Sequence, residues 1–241
     1  MINKRSNNKF FLGIAVAVLV PLFCYLVVNS LSKGKVKMPH RYGIERVDSE
    51  MINGTMQRDT TYHQVADLVL TNQFGQQVSL NKDLAGKILV VDMFFTTCTS
   101  ICPKLTTNMR LLQTGFKKDS KKEASLDTVM HLISLTVDPA RDTFQAMRAY
   151  ADRYGVDHDH WWFLTGDKKT IYNYARKELG IATGPGDGGA DDFIHTEQIV
   201  LIDKDRIIRG YYNGLNDTDV RKCADDIVLL TMENEHKKKK R

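Results

Sequence analysis

Proline is scarce in this chain, at five in 241 residues, and so are cysteine, at four, and tryptophan, at two. Few prolines exclude a collagen-like or proline-rich scaffold, and so sparse a cysteine content excludes the disulfide-dense frameworks of small secreted domains. Charge of one sign is not dominant either: the net charge of +5 is mild, and much of it lies in the terminal run His236–Arg241, HKKKKR. That run reads as a solvated basic tail, residues 233–241. No zinc-finger, RNA-recognition or helix-turn-helix pattern accompanies it, so nucleic acid is not expected as a partner. Internal repeats are missing as well.

Long apolar runs are missing with one exception. Phe10–Val28, FFLGIAVAVLVPLFCYLVV, is nineteen residues without a charge, enough to cross the roughly 30 Å hydrocarbon layer as a helix. Pro21 is tolerable in such a helix. The following VVNSLSKGK makes a poor signal-peptidase site, so residues 10–28 are expected to stay as a transmembrane anchor behind a short tail, residues 1–9. Cys24 lacks a small residue before it and reads as an apolar residue in the membrane. Lys4, Arg5 and Lys9 precede the helix while Lys33, Lys35, Lys37 and Arg41 follow it. The positive-inside count is therefore balanced, and the expected cytoplasmic placement of residues 1–9 rests on the short tail and large following domain.

Residues 29–60 are polar, with little periodicity, and read as a tether that gains order toward its end. A domain is expected over 61–232, alternating strand and helix. Val65–Leu80 reads as a hairpin turned at Asn72–Gly75. Lys87–Phe95 and Val129–Val137 are apolar runs typical of strands buried on both faces. Leu105, Met109, Leu112 and Phe116 give Lys104–Lys117 a helical period. Asp142 or Thr143 caps a helix stopped by Gly155, and Asp167 caps another ended by Gly180. Trp161–Gly166 reads as a short strand, Gln198–Gly214 as a hairpin, and Asp217–Met232 as a last helix. The order β-β-β-α-β-α-β-α-β-β-α predicts an α/β class, a thioredoxin-like fold with an additional N-terminal hairpin and insertions.

Two of the four cysteines stand together in Thr96–Leu105, TTCTSICPKL. Cys98 falls where a buried strand ends and Cys102 where a helix begins. Pro103 fits the first helical position. A helix N-terminus favours thiolate over thiol, and four-residue spacing lets both sulfurs face one point. That geometry serves a disulfide or one soft metal ion. Zinc wants four ligands, and the remaining domain cysteine, Cys223, lies in the last helix and is expected to be buried. Two thiolates with one imidazole suit copper. Of the seven histidines, His40 and His236 lie outside the expected domain core, His63 opens it without an evident partner, His131 sits inside a strand, and His158 and His160 share a loop. His195 follows a Gly-rich loop and precedes the strand QIVLID, which in a thioredoxin-like sheet lies beside the cysteine helix.

With FFTTCTSICP, LTVDPARDT and FIHT in this order, the chain resembles the Sco/SenC family of copper-binding thioredoxin-like proteins over about residues 61–230. The resemblance implies copper, Cu(I) or Cu(II), held by Cys98, Cys102 and His195. It also implies a domain facing the periplasm from the inner (cytoplasmic) membrane. The implied role is maturation of the copper centre of cytochrome c oxidase, with subunit II or another copper acceptor as partner. Asp138 and Arg141 belong to the family segment DPARDT, which reads by itself as a turn and helix cap; the functional alternative has them tune the thiols from behind the ligands. Two departures stand out: Ile194 occupies a place where the family often has an acidic residue, and no proline precedes Gln198.

Two functions therefore compete. A copper metallochaperone would exchange its ion with an acceptor's ligands. A thiol-disulfide oxidoreductase would use a redox-active Cys98–Cys102 disulfide, with Cys98 attacking, supplied by a thiol reductant. A peroxiredoxin is disfavoured because Pro103 follows the cysteines and none precedes them in the domain.

Overall fold

The computed structural model describes residues 6–32, 37–52, 55–116, 129–181 and 196–239. It divides into two units, Met1–Met38 and Pro39–Arg241. The first holds one helix, α1 (Ser6–Ser32), with Pro21 inside it. Its stretch Phe11–Ser30 has a mean hydropathy of 2.7 and no buried residues, so by length and composition it can cross a bilayer.

The second unit opens with a separate antiparallel hairpin, β1 (Ile44–Ile52) and β2 (Thr55–Tyr62). Paired strands thus occupy much of the stretch read as a tether. Seven further strands form one mixed sheet: β3 (Val69–Asn72), β4 (Gln77–Ser79), β5 (Ile88–Phe94), β6 (Met130–Thr136), β7 (Trp161–Thr165), β8 (Gln198–Ile202) and β9 (Ile208–Asn213). Their spatial order is β4-β3-β7-β6-β5-β8-β9. The central β5, β6 and β7 are parallel, and β3, β8 and β9 add antiparallel flanks. Four helices complete the unit: α2 (Ile101–Gly115), α3 (Phe144–Arg153), α4 (Lys168–Asn173) and α5 (Asp217–Lys239).

The apolar runs explain the layers. Every residue of β5 and β6 is buried. Val90, Phe94 and Leu132 face Leu105, Met109, Met147, Tyr150 and Ile227 of α2, α3 and α5. Leu89, Val91, Ile133 and Leu135 face the opposite layer, with Leu80, Leu84, Ile171 and Leu179. Burial of one such side chain contributes about 1.5–3 kcal/mol, so both faces hold the sheet.

The helix ends follow local chemistry, with two differences from expectation. Thr143 caps α3, accepting from the Ala146 N–H, while Asp142 turns inward. Asp167 caps α4, which passes into a π-helical turn at Tyr174–Glu178 before Gly180 ends it at φ +66°. In that turn the Leu179 N–H reaches back five residues to the Tyr174 carbonyl. The second difference is at α2, which starts at Ile101, so Pro103 is its third residue and not its first. The first four N–H groups of a helix are unpaired anyway, so proline costs no bond there.

Candidate metal and thiol site

The fully buried strand β5 delivers its C-terminal end to a six-residue connection, and α2 begins immediately after it. Inside this connection the Cys98 N–H donates to the Phe95 carbonyl at 3.2 Å, closing a turn. The turn points the Cys98 sulfur at the start of α2, where the Cys102 N–H donates to Cys98 Sγ at 3.4 Å. Both side chains are buried and both thiols are free. Burial alone pushes the Cys98 thiol up. Hydrogen bonds from the Cys102 thiol and N–H, and from Ser100, outweigh it and bring Cys98 down to about 7. Burial, and then the Cys98 sulfur itself, push Cys102 up to about 12. The pair is therefore asymmetric: Cys98 is the ready thiolate and Cys102 the thiol that stabilises it.

A small pocket lies beside the pair, lined by Cys102, Met93, Phe94, Phe95, Ile101, Val137 and Thr196. Thr196 comes from the approach to β8. Because β8 runs antiparallel to β5, with Val91 opposite Val200, the start of β8 lies at the cysteine end of β5. His195 falls outside the described residues. Among the described residues no three His, Cys, Asp or Glu side chains gather as a metal cluster. The two cysteines alone form a soft, two-sulfur donor set, a partial fit to Cu(I) and a poor one to harder ions.

The segment after β6 supports the cysteine loop from behind. Asp142, wholly buried, accepts from the backbone N–H and the hydroxyl of Thr96, and from the Thr136 hydroxyl. Thr96 stands two residues before Cys98, so this carboxylate ties the loop to the end of β6. Asp138 and Arg141 pair with each other at 3.4 Å, and the Arg141 side chain is 73% exposed.

Comparison with known proteins decides the family. The family model SCO1/SenC matches residues 56–230. The chain belongs to the SCO1/SenC family. A SCO1 protein homolog of Bacillus subtilis (strain 168) is 32% identical over 177 residues, covering 73% of this chain and 84% of that protein. The solved structure of BsSco is described as a member of the Sco family of cytochrome c oxidase assembly proteins with a disulfide switch. It is 29% identical, with a TM-score of 0.57, over 70% of this chain and 93% of that one. Arabidopsis thaliana ScoI, solved with copper bound, shares the fold at 22% identity and a TM-score of 0.54, over 71% of this chain and 99% of that one. The Sco family accordingly includes copper-bound members, and this chain has its thioredoxin-like α/β fold.

Two residues of this Sco domain escaped the sequence reading. One is Asp142, which read as one of two candidate helix caps. The other is Asp92, at 0% exposure in the middle of β5. It accepts from the Ser134 hydroxyl, itself a hydrogen-bond acceptor for the Trp161 indole, while its second oxygen has no partner among the described residues. Burial pushes Asp92 up to about 7, and its charge raises Cys102 further. The signal was there in one aspartate inside the apolar run KILVVDMFF, since buried carboxylates are rare without a partner.

The remaining described histidines take other duties. His158 is held by Gln73 and Asp152, and His160 lies 3.7 Å from Asp157. His131 is buried against Trp162, and neither ring nitrogen has a partner among the described residues. His63 has two partners: Nδ1 meets Glu45 and Nε2 meets Glu178, each at 2.9 Å. The carbonyl of His40 accepts from Arg209. Cys223 is fully buried in α5, its thiol pushed far up by burial.

Proposed function

We propose that this Sco-family chain is a membrane-anchored copper metallochaperone for the copper centre of cytochrome c oxidase subunit II. Cys98 and Cys102 supply two soft sulfurs and His195 a neutral nitrogen. Asp138 and Arg141, in the segment DPARDT, are assigned the role of tuning the thiols from behind the ligands. The anchor, residues 10–28, holds the domain of residues 61–232 on the periplasmic side of the inner membrane. The observation that carries the reading is the 3.4 Å contact of Cys98 Sγ with the Cys102 N–H at the start of α2. The presence of Thr196, next in sequence to His195, in the Cys102 pocket supports the third ligand. Copper is the cargo, delivered by ligand exchange, and its binding displaces thiol protons.

The test is copper stoichiometry and absorption of the reduced protein beside Cys98→Ser, Cys102→Ser and His195→Ala. One copper per chain, with sulfur-to-copper bands that need all three residues, is the expected result. Unchanged copper affinity in His195→Ala would remove that residue from the site.

One observation favours a second role on the same residues, reduction of an acceptor's disulfide. The unequal acidity of the two thiols suits it. The Cys98 thiolate attacks one sulfur of the acceptor disulfide, and the other leaves as a thiolate. Cys102, losing its proton, then attacks Cys98 in the mixed disulfide. The acceptor gains two electrons as a dithiol, and Cys98–Cys102 is left oxidised, to be restored by a thiol reductant. This role needs both cysteines and is indifferent to His195→Ala.

A further inference from the structure

Four methionines are core residues, Met93, Met109, Met130 and Met147, each at most 2% exposed, while Met38 and Met232 are exposed singly at 41% and 55%. Met51 and Met56 are the reverse, at 75% and 60% exposed. They are also direct partners across the β1–β2 hairpin. Residues opposite each other in an antiparallel pair project from one face, with Cβ atoms about 4.5–5.5 Å apart. Methionine side chains are long, unbranched and flexible, so two sulfurs starting that close can converge on one ion.

The hairpin presents the pair on a stem with a fixed foot. An isolated two-stranded hairpin is marginal in water, and here the base is held from several directions. The Tyr42 N–H donates to the Ile208 carbonyl and the His63 N–H to the Gly43 carbonyl. His63 also joins Glu45 of β1 to Glu178 beyond α4. The methionines stand at the other end, seven residues beyond Ile44 along β1.

Thioethers are soft, neutral donors that favour Cu(I) over the harder divalent ions. We propose that Met51 and Met56 form a second, exposed site for Cu(I), a thioether pair at which the ion loads before it is held by the thiols. Its purpose rests on the copper reading of Cys98 and Cys102, though its chemistry does not. A thioether has no proton to lose, so binding there persists in mild acid, whereas thiol binding weakens as protons compete.

The probe is Ag(I), a redox-inert soft cation, added to the full chain in detergent with its methionine methyl groups labelled with carbon-13. The signals lost in Met51→Leu and in Met56→Leu identify the pair. Both should shift together and saturate at one Ag(I), at neutral pH and at about pH 5 alike. They should do so in the Cys98→Ser/Cys102→Ser background too. Removing either methionine should weaken binding about tenfold or more, since the remaining donor loses its linked partner. Silver held by Cys24 or Cys223 leaves these methyl groups in place. Two methyl signals that stay still, or that titrate independently, would overturn the site. A response to lipid vesicles but not to Ag(I) would also overturn it and make the pair an apolar contact. Failure of the thiol copper reading is separate: it appears as missing sulfur-to-copper bands in the wild-type chain while the methyl shifts remain.

Discussion

Asp142 accepts hydrogen bonds from both the N–H and the hydroxyl of Thr96, two residues before Cys98, across 46 positions of sequence. The same carboxylate takes the Thr136 hydroxyl, so one buried side chain joins the end of β6 to the cysteine loop. Burial raises its pKa, which the three hydrogen bonds oppose. Asp142→Ala leaves these donors without an acceptor, at about 1–3 kcal/mol for each buried group. Denaturant unfolding should show a loss of about 3 kcal/mol or more, and Cys102 should become faster to alkylate in the native state. Asp142→Asn keeps one oxygen and should lose less. Unchanged stability and thiol access in the alanine variant would mean that the carboxylate does not tie the loop.

The two thiols should separate cleanly by pH. Cys98, held down to about 7, should be alkylated with a midpoint near that value in reduced, metal-free protein, while Cys102 stays slow until about pH 12. Mass spectrometry of the first adduct identifies the attacker. Cys102→Ala removes the side-chain donor to Cys98 and should raise the Cys98 midpoint. A first adduct on Cys102 would reverse the order of attack.

The sheet and the cysteine loop were legible because their signals are local. Apolar runs marked β5 and β6, and CTSICP marked a strand-to-helix junction. Asp142 was misread because a carboxylate before a helix caps it by default, and only the fold brings Thr96 within reach. The β1–β2 hairpin was hidden for a different reason. Its strands, IERVDSEMI and TMQRDTTY, are polar on both faces and carry no burial alternation. His63 had no evident partner because Glu45 and Glu178 lie far from it in sequence, and pairing them needs the third dimension.

His63 should act as a pH-dependent pin for the hairpin. Hydrogen bonds donated to Glu45 and then to Glu178 raise its pKa above 6.5, against a smaller opposing effect of burial. The charged form is therefore favoured in the folded state. Its stabilisation is fully present below about pH 6.5 and is lost as pH rises through the raised folded value. His63→Gln should lower stability below pH 6.5 by no more than about 1 kcal/mol, the ceiling for partly exposed ion pairs. The difference should shrink in alkali. A wild-type-minus-variant difference flat with pH would show that only neutral hydrogen bonds are at work.

Asp92 and His131 face the opposite problem, because both are buried with polar atoms that lack a partner among the described residues, and their pH dependences run in opposite directions. Burial raises Asp92 to about 7 from its usual carboxylate range, so the folded state binds more protons than the unfolded chain between about pH 4 and 7. Stability from this group falls as pH rises through that window. Burial, then Lys87 and His160, depress His131 to about 3, so the unfolded chain binds more protons between about pH 3 and 6.5. Stability from this group rises with pH through that window. In the wild type the contributions of these two groups oppose each other between about pH 4 and 6.5. Asp92→Asn removes the falling component and should expose a profile that climbs with pH. His131→Phe removes the rising component and should expose one that declines. Urea midpoints from pH 4 to 8 on both variants check the pair. Two variant profiles with slopes of the same sign would mean that one of these groups titrates normally in the folded protein.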